Sequence, residues 1–264
     1  MTPEYFATVR PTYLESWPAA LRALSLRQVA VPLTREETEV LFQRAVAPPT
    51  GWSSGAVPPG LERVAQALEE ALAQFPAGAM VRLGSRSAKD SRYALHRGLR
   101  VDGAAGALAM LTSGSERVAF DLRLALRHGY LPQLFVREWL HLPAWAELRC
   151  FMRGRRLVGI SQYDCRGLGF SEELHANAPR LRVAVEAFFE TFREACHLED
   201  VVFDVFAVTP LPDGNAPPAI RLLELNPFFP KTDAGLFSWE HGGDFDGSFR
   251  IVGEGLGNPL RRAK

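Results

Sequence analysis

The chain has 264 residues, 47% of them hydrophobic, so it is long enough to bury a full core as one large domain or as two lobes. Lysine plus arginine and aspartate plus glutamate each total 30, and this neutral balance argues against nucleic acid or a membrane surface as a partner. The three cysteines are odd in number and widely spaced, no stretch is apolar enough to span a bilayer, and the N-terminus has no signal-peptide pattern, so we expect a soluble cytoplasmic protein.

Helices and proline-rich breaks alternate in the first third of the chain. The segment 34–46 begins with Thr34 and has Glu37 three residues later, a capping-box pattern that predicts the start of a helix. Residues 61–75 have apolar side chains at helical spacing and are predicted as a second helix, whereas the proline, glycine and serine content of 47–60 predicts a loop. Short strands are predicted at 27–33, 79–84, 99–101 and 116–122.

The second half of the chain has a more regular pattern. One strong helix is predicted at 178–196, where apolar residues recur at helical spacing. Strands are predicted at 133–140, 147–164, 200–210 and 219–228. This order favours a mixed α+β fold with an antiparallel sheet in the second half.

Three polar side chains lie in the last two predicted strands. Asp204 is inside an almost unbroken apolar run, where an unpaired ionised carboxylate is very costly. Glu224 and Asn226 are two residues apart in the next strand, so both point to the same face, and Pro227 then ends the ladder. Because 209–219 is rich in turn formers, the two strands are predicted to form a hairpin that brings the three together.

Two interpretations explain these converging oxygen atoms. In the first, a hard cation such as Mg²⁺ binds the two carboxylates and the amide oxygen and completes its octahedron with phosphate and water. In the second, arginines of the sheet neutralise both acids as structural salt bridges. The Glu-x-Asn pattern opposite Asp204 favours the metal.

The residues "VFDVF" and "LLELNPFF" are similar to the metal-binding strand pair of ATP-grasp enzymes. The chain more specifically resembles the cell division cycle protein 123 family, a divergent ATP-grasp branch. The segments that carry this resemblance are 16–33, 81–91, 135–164 and 224–240. It implies an ATP-grasp fold of two lobes with the nucleotide between them, in which 1–134 contain an N-terminal segment and the small lobe, and 135–264 the hinge and the large lobe. Because nearly all basic residues are arginine and alanine is abundant, we expect a bacterial member.

The resemblance implies ATP and Mg²⁺ as cofactors and assigns residues to them. Arg82 stands where ATP-grasp proteins usually have a lysine that meets the α- or β-phosphate, and arginine keeps that charge. Ser87 and Lys89 are candidate donors in a loop that closes over the triphosphate, although by composition alone this loop would be an ordinary solvated turn. The expected metal ligands are Asp204, Glu224 and Asn226.

The predicted hinge and the strand after it complete the nucleotide site that the resemblance implies. The hinge residues expected at the adenine are Arg137, Glu138, Trp139 and Leu140. Trp139 also fits an ordinary core position, which is the commoner place for a strand tryptophan. Glu147 is expected near the nucleotide, and Arg149 is expected to reach the transferred phosphate. The alternative for these two is a same-face surface pair that contributes little stability.

Two classes of function follow from the resemblance. In the first, the protein is an ATP-dependent carboxylate–amine ligase that acts through an acyl-phosphate, with Arg149 and Arg82 as catalytic residues and with unidentified carboxylate and amine substrates. Glu224 favours this class, because a long carboxylate can bridge two Mg²⁺ ions. In the second, it is an ATP-binding assembly chaperone with a protein client, like eukaryotic relatives of translation-factor type. The fold alone does not decide between them.

Overall fold

The computed structural model describes residues 2–46, 57–165, 170–214 and 216–253. In these ranges the helices are α1 (Pro3–Val9), α2 (Ala19–Ala23), α3 (Arg35–Val46), α4 (Glu62–Leu72), α5 (Arg92–Arg97), α6 (Ala104–Thr112), α7 (Glu116–Arg127) and α8 (Glu172–Ala195). The strands are β1 (Gln28–Pro32), β2 (Ala79–Leu83), β3 (Arg100–Val101), β4 (Gln133–Glu138), β5 (Glu147–Arg153), β6 (Arg156–Gln162), β7 (Val201–Ala207), β8 (Ile220–Pro227) and β9 (Phe249–Arg250). The predicted α+β class is confirmed.

The chain divides into two compact units. The first unit consists of Met1–Ser16 and Arg27–Leu140, and the second of Trp17–Leu26 and His141–Lys264. The boundary predicted from the sequence, between 134 and 135, falls inside β4, all of whose residues belong to the first unit. Within the described residues, no helix combines the length and the apolar character that crossing a membrane requires.

The first unit is built on a four-stranded antiparallel sheet in the order β1-β4-β2-β3. Side chains alternate between the faces of a strand, and Val31, Val81 and Val136 point to the face that packs against the helices. Leu68 of α4 and Leu108 of α6 belong to the same buried cluster. The opposite face of this sheet therefore carries the alternate residues of each strand.

The second unit is built on a five-stranded sheet in the order β8-β7-β5-β6-β9. All pairs are antiparallel except β6 with β9, which is parallel. Helix α8 packs on this sheet through aromatic rings, and the centroids of Phe192 and Phe203 lie 4.1 Å apart. The predicted hairpin of the last two long strands is confirmed as β7 and β8.

Most of the predicted helices and strands are present, and one predicted strand is a helix in the structure. The capping box of α3 is confirmed, since Glu37 N donates to Thr34 Oγ1 at 3.2 Å and Thr34 N donates to Glu37 Oε2 at 2.8 Å. The predicted helix at 178–196 begins six residues earlier, because Ser171 caps α8 and Pro179 is accommodated inside it. Residues 47–56 of the predicted loop at 47–60 lie outside the described residues.

The strand predicted at 116–122 is wrong, because these residues form the first part of α7. Val118 and Leu122 fit both an alternating pattern and a helical one. Two contacts at the start of the segment favour the helix. The Ser115 hydroxyl accepts a hydrogen bond from Val118 N at 3.1 Å, and the Asp90 carboxylate accepts one from Arg117 N at 3.1 Å. These acceptors satisfy amide groups that a helix start leaves without partners.

We predict that Ser115→Ala lowers the free energy of unfolding by about 1–3 kcal/mol, because a fully buried hydroxyl loses both its cap bond and its 2.5 Å bond to Asp90 Oδ1. Ser91→Ala is the matched control. Ser91 is equally buried and caps α5 with one bond to Ala94 N, so its loss should be near the lower end of that range. Chemical unfolding curves of both variants measure the difference. Equal losses would show that Asp90 contributes nothing through this bond.

Candidate functional site

The pairing of β7 with β8 brings the three predicted metal ligands together. Asp204 lies opposite Glu224, and Val202 lies opposite Asn226. The pairing shifts by one residue between Asp204 and Val205, so this part of the ladder is irregular. Asn226 Nδ2 lies 3.1 Å from Asp204 Oδ2 and 3.5 Å from Glu224 Oε1. The site is therefore a compact set of two carboxylates and one carboxamide on neighbouring strands.

A single arginine on the next strand pairs with one of these carboxylates. Arg149 of β5 lies opposite Asp204 in the sheet, and its Nε and Nη2 donate to the two oxygens of Asp204, both at 2.8 Å. Its Nη1 donates to the Asp233 carbonyl at 2.9 Å. Both side chains are buried, with 7% of Arg149 and 0% of Asp204 exposed. This fork geometry is the strongest form of an arginine–carboxylate contact.

One interpretation of the sequence is that arginines of the sheet neutralise both Asp204 and Glu224 as salt bridges. The structure contains one such salt bridge, between Arg149 and Asp204. Two carboxylates, Asp204 and Glu224, face this one guanidinium. An ion pair with Arg149 compensates for the buried charge of Asp204, and the negative charge of the half-buried Glu224 nearby still raises the energy of the ionised pair. The salt bridge and the metal are therefore compatible, because a bound cation would balance the second carboxylate.

The pKa of Asp204 reflects this environment. It is raised to about 6, because burial and the nearby negative charge of Glu224 together outweigh the opposing effect of Arg149. The pKa of Arg149 is above its usual range, because the charge of Asp204 outweighs the burial that disfavours the guanidinium. Tyr163, whose ring lies 4.9 Å from the Arg149 guanidinium carbon, has a raised pKa because of burial and of Asp204.

The donor set fits Mg²⁺, provided that Asn226 turns its amide. Among the described residues, no group of three or more histidine, cysteine, aspartate and glutamate side chains is placed to hold a metal. A metal at this position would therefore need Asn226 as its third protein ligand. The amide nitrogen now faces the two carboxylates, and half a turn of the amide group would present Oδ1 in its place. Carboxylate and carboxamide oxygens are the ligands that Mg²⁺ prefers.

The residues predicted at the phosphates belong to the first unit and make local contacts there. Arg82 is buried, and its guanidinium donates to the Leu83 carbonyl at 3.1 Å and to the Ser85 carbonyl at 3.2 Å. Ser87 is half-buried and Lys89 is exposed. The loop that contains both is anchored at its two ends to the α7 region, by the Arg86–Asp121 ion pair at 2.6 Å and by the contacts of Asp90 with Ser115 Oγ and Arg117 N. Their phosphate-binding roles stay predictions.

The predicted hinge ends β4, and its amide groups make strand contacts. Glu138 N donates to the Arg27 carbonyl at 3.0 Å, and Glu138 Oε1 accepts from Arg27 N at 2.8 Å. Trp139 N donates to the Gly78 carbonyl at 3.1 Å. Arg137 is fully buried, whereas Trp139 and Leu140 are half-buried. The adenine-binding roles of the four hinge residues stay predictions.

Glu147 and Arg149 share one strand, and their surroundings differ. Glu147 is half-buried and lies opposite Phe206. Arg149 is buried in the ion pair with Asp204, so a surface pair, the alternative that the sequence left open, does not describe it. Neither Tyr163 nor the Asp233 carbonyl was predicted from the sequence as a neighbour of Arg149. No signal in the sequence gives the pairing of β5 with β7 that creates this neighbourhood.

We predict that Arg149→Met lowers the free energy of unfolding by about 3–5 kcal/mol, because it leaves the Asp204 carboxylate buried without its charge partner. The double variant Arg149→Met with Asp204→Leu should be more stable than Arg149→Met alone, since it removes both charges. Arg182→Met on α8 is the control, because its pair with Glu186 is about half exposed and should contribute less than about 1 kcal/mol. Unfolding curves that show an additive double variant would contradict a coupled buried pair.

Comparison with known proteins identifies the family of the chain. The family model described as D123 matches residues 45–246. The translation initiation factor eIF2 assembly protein of Botryotinia fuckeliana is 24% identical over 260 residues, covering 85% of this chain and 62% of its own length. The chain therefore spans about three fifths of the length of the curated relatives that it matches first.

Solved structures were compared with this chain as well, and one of them shares its fold. The structure of Cdc123 from Schizosaccharomyces pombe has a TM-score of 0.74 at 21% identity, covering 94% of this chain and 98% of that one, so the two share a fold. A RimK domain ATP-grasp protein from Sphaerobacter thermophilus has a TM-score of 0.39 at 14% identity, covering 83% of this chain and 61% of that one. The Botryotinia and Schizosaccharomyces relatives are eukaryotic, and the bacterial source stays a prediction. The chain belongs to the D123 family, as its resemblance to the cell division cycle protein 123 family predicted.

Proposed function

We propose that this protein is an assembly factor that binds ATP with Mg²⁺ and a protein client. The observation that carries the nucleotide part is the convergence of Asp204, Glu224 and Asn226 on neighbouring strands, a donor set suited to a hard cation. The client part is supported by family membership, since a relative bears the name translation initiation factor eIF2 assembly protein. By that likeness, the proposed client is a protein of translation-initiation-factor type.

In this proposal, Asp204, Glu224 and Asn226 hold Mg²⁺, and Arg149 fixes the position of Asp204. When bound, the metal supplies positive charge that neutralises phosphate oxygens. Arg149 binds both oxygens of Asp204 and also the Asp233 carbonyl, so the carboxylate has one orientation before any ligand arrives. Such preorganisation reduces the entropic cost of binding the metal.

A carboxylate–amine ligase is the second candidate, and Glu224 is the observation that favours it, because its carboxylate has the length to bridge two metal ions. The contacts of Arg149 count against it. A role on a transferred phosphate would require this guanidinium to leave two bonds to a fully buried carboxylate. Removing that partner leaves a buried charge uncompensated. We therefore place the assembly function first, and catalytic roles for Arg149 and Arg82 stay predictions.

We predict that Mg²⁺-dependent ATP binding weakens as the pH falls through about 6, because the metal needs the ionised form of Asp204 and protons compete for it. The bound metal stabilises that ionised form. Saturating Mg²⁺ should therefore lower the pH at which ATP binding weakens. Calorimetric titrations between about pH 7.5 and about pH 5 measure the effect. The phosphate of ATP also titrates near pH 6, so the comparison must be made between variants.

Two variants make that comparison. Asp204→Asn should bind Mg-ATP weakly and lack the part of the pH dependence that Asp204 contributes. Glu199→Gln removes an exposed carboxylate just before β7 and should retain the wild-type profile. If Asp204→Asn kept both the wild-type affinity and the wild-type profile, Asp204 would not be a metal ligand.

We predict that immobilised wild-type protein retains purified eIF2 and that Mg-ATP changes the amount retained, whereas it has no effect on retention by Asp204→Asn. Occupancy of the nucleotide site would then be coupled to client binding. ADP release is measured in parallel, with a panel of carboxylates and amines and no eIF2. Release of ADP only with a carboxylate and an amine, without retention of eIF2 in any nucleotide state, would contradict the assembly function and favour the ligase.

A further inference from the structure

A tyrosine just after β6 lies on the same sheet face as the buried ion pair of the second unit. The Tyr163 N–H donates to the Glu147 carbonyl at 3.2 Å, so the chain continues beside β5 for one more residue. Ser161 lies opposite Arg149, and residues two apart in an extended chain share a face. The ring centroid of Tyr163 is 4.9 Å from the guanidinium carbon of Arg149. Tyr163 and Asp204 therefore contact the same guanidinium.

The hydroxyl of this tyrosine is available to a ligand. It makes no hydrogen bond with another residue that the structure describes. Tyrosine hydroxyls usually have a hydrogen-bond partner when they are buried. Tyr163 is half-buried, and its hydroxyl oxygen is not one of the shielded polar atoms that lack a partner. Solvent, or a ligand in its place, therefore reaches this hydroxyl.

The side chains around the ion pair are also within reach of solvent. Arg149 and Asp204 are buried, whereas the neighbouring Glu147, Glu224 and Asn226 are each half-buried. Partly exposed polar side chains therefore border the buried pair on this face of the sheet. A ligand that contacts them does not need to open the core of the unit.

The charges that act on the hydroxyl are mostly negative. Burial raises the pKa of Tyr163 above its usual range, and three carboxylates raise it further, those of Asp204, Glu224 and Glu147. Arg149 has the opposite effect on this pKa. The hydroxyl therefore keeps its proton near neutral pH and remains a hydrogen-bond donor.

A phosphate group at this face requires a donor that is not already in use. Ionised carboxylates only accept hydrogen bonds. Each of the three nitrogens of Arg149 already donates, two of them to Asp204 and one to the Asp233 carbonyl. The Tyr163 hydroxyl is neutral and lies beside that guanidinium. It can donate to a phosphate oxygen while the buried ion pair stays intact.

We propose that Tyr163 is a further ligand-binding residue of this site, and that its hydroxyl donates a hydrogen bond to a phosphate oxygen of the nucleotide. The inference rests on the proposed binding of Mg-ATP and adds a phosphate contact to it. Hydrogen bonds to charged oxygens are stronger than those between neutral groups, so the contact contributes measurably to affinity. The ring keeps its place against Arg149, and only the hydroxyl changes its partner.

Tyr163→Phe tests this role, because it removes the hydroxyl and retains the ring against the guanidinium. The variant should bind Mg-ATP about tenfold or more weakly in calorimetric titrations. At saturating Mg-ATP, at least one phosphorus magnetic resonance signal of the bound nucleotide should differ from its wild-type position. Without nucleotide, the variant should melt at the wild-type temperature, since the hydroxyl has no partner to lose among the described residues.

The control is Tyr5→Phe, a half-buried tyrosine of the first unit whose ring packs edge-on against Phe120. It should retain the wild-type affinity and the wild-type phosphorus spectrum. If wild type binds Mg-ATP and Tyr163→Phe binds it equally well, or binds it weakly with every phosphate signal at its wild-type position, the phosphate contact is overturned while nucleotide binding stands. A lower melting temperature of free Tyr163→Phe would also overturn it, because the hydroxyl would then serve the fold. If wild type does not bind Mg-ATP, the proposed function fails and the inference with it.

Discussion

The buried ion pair between Arg149 and Asp204 is the interaction on which the second unit depends. The carboxylate has no solvent exposure, and in such a position an isolated charge would be too costly for the folded state. The guanidinium resolves this by binding both carboxylate oxygens from the neighbouring strand. It also binds the Asp233 carbonyl in the segment after β8. One side chain therefore connects β5, β7 and the segment that follows β8.

The Arg149–Asp204 ion pair also determines the charge balance of the neighbouring side chains. Glu224 and Asn226 approach Asp204 from β8, so a second carboxylate lies next to a charge that is already paired. In the proposed function, a cation would reduce the repulsion between these two carboxylates, whose oxygens are of the type that binds Mg²⁺. The raised pKa of Asp204 records the same competition, because protonation is the other way to reduce the negative charge. A proton and an arginine thus compete for the charge of one carboxylate, and in the proposed function the metal does so as well.

The parts of the structure that could be predicted from the sequence are those encoded over short distances. The capping box of α3 is local, and the hairpin of β7 and β8 follows from two apolar strands joined by a turn-rich loop. Strand alternation places Glu224 and Asn226 on one face, and the turn between the strands brings Asp204 to them. The start of α7 is ambiguous in the sequence because Val118 and Leu122 fit both periods, and the helix is selected by its cap and its packing.

The partners that the sequence did not reveal come from contacts between distant parts of the chain. Arg149 and Asp204 are 55 residues apart, and only the pairing of β5 with β7 brings them together. Arg86 and Asp121 are 35 residues apart in a similar way. Strand order is weakly encoded in a single sequence, because many pairings satisfy the same alternation.

Direct observation of a bound metal tests the central claim, which is that Asp204, Glu224 and Asn226 form one divalent-cation site for a nucleotide complex. Electron paramagnetic resonance with Mn²⁺ in place of Mg²⁺ counts the ions that the protein binds when ATP is present. We predict that wild type binds Mn²⁺ in an ATP-dependent way and that Asn226→Leu, which removes the third donor, loses this binding while its unfolding curve shows a folded protein. Equal ATP-dependent Mn²⁺ binding by wild type and by the variant would contradict the assignment.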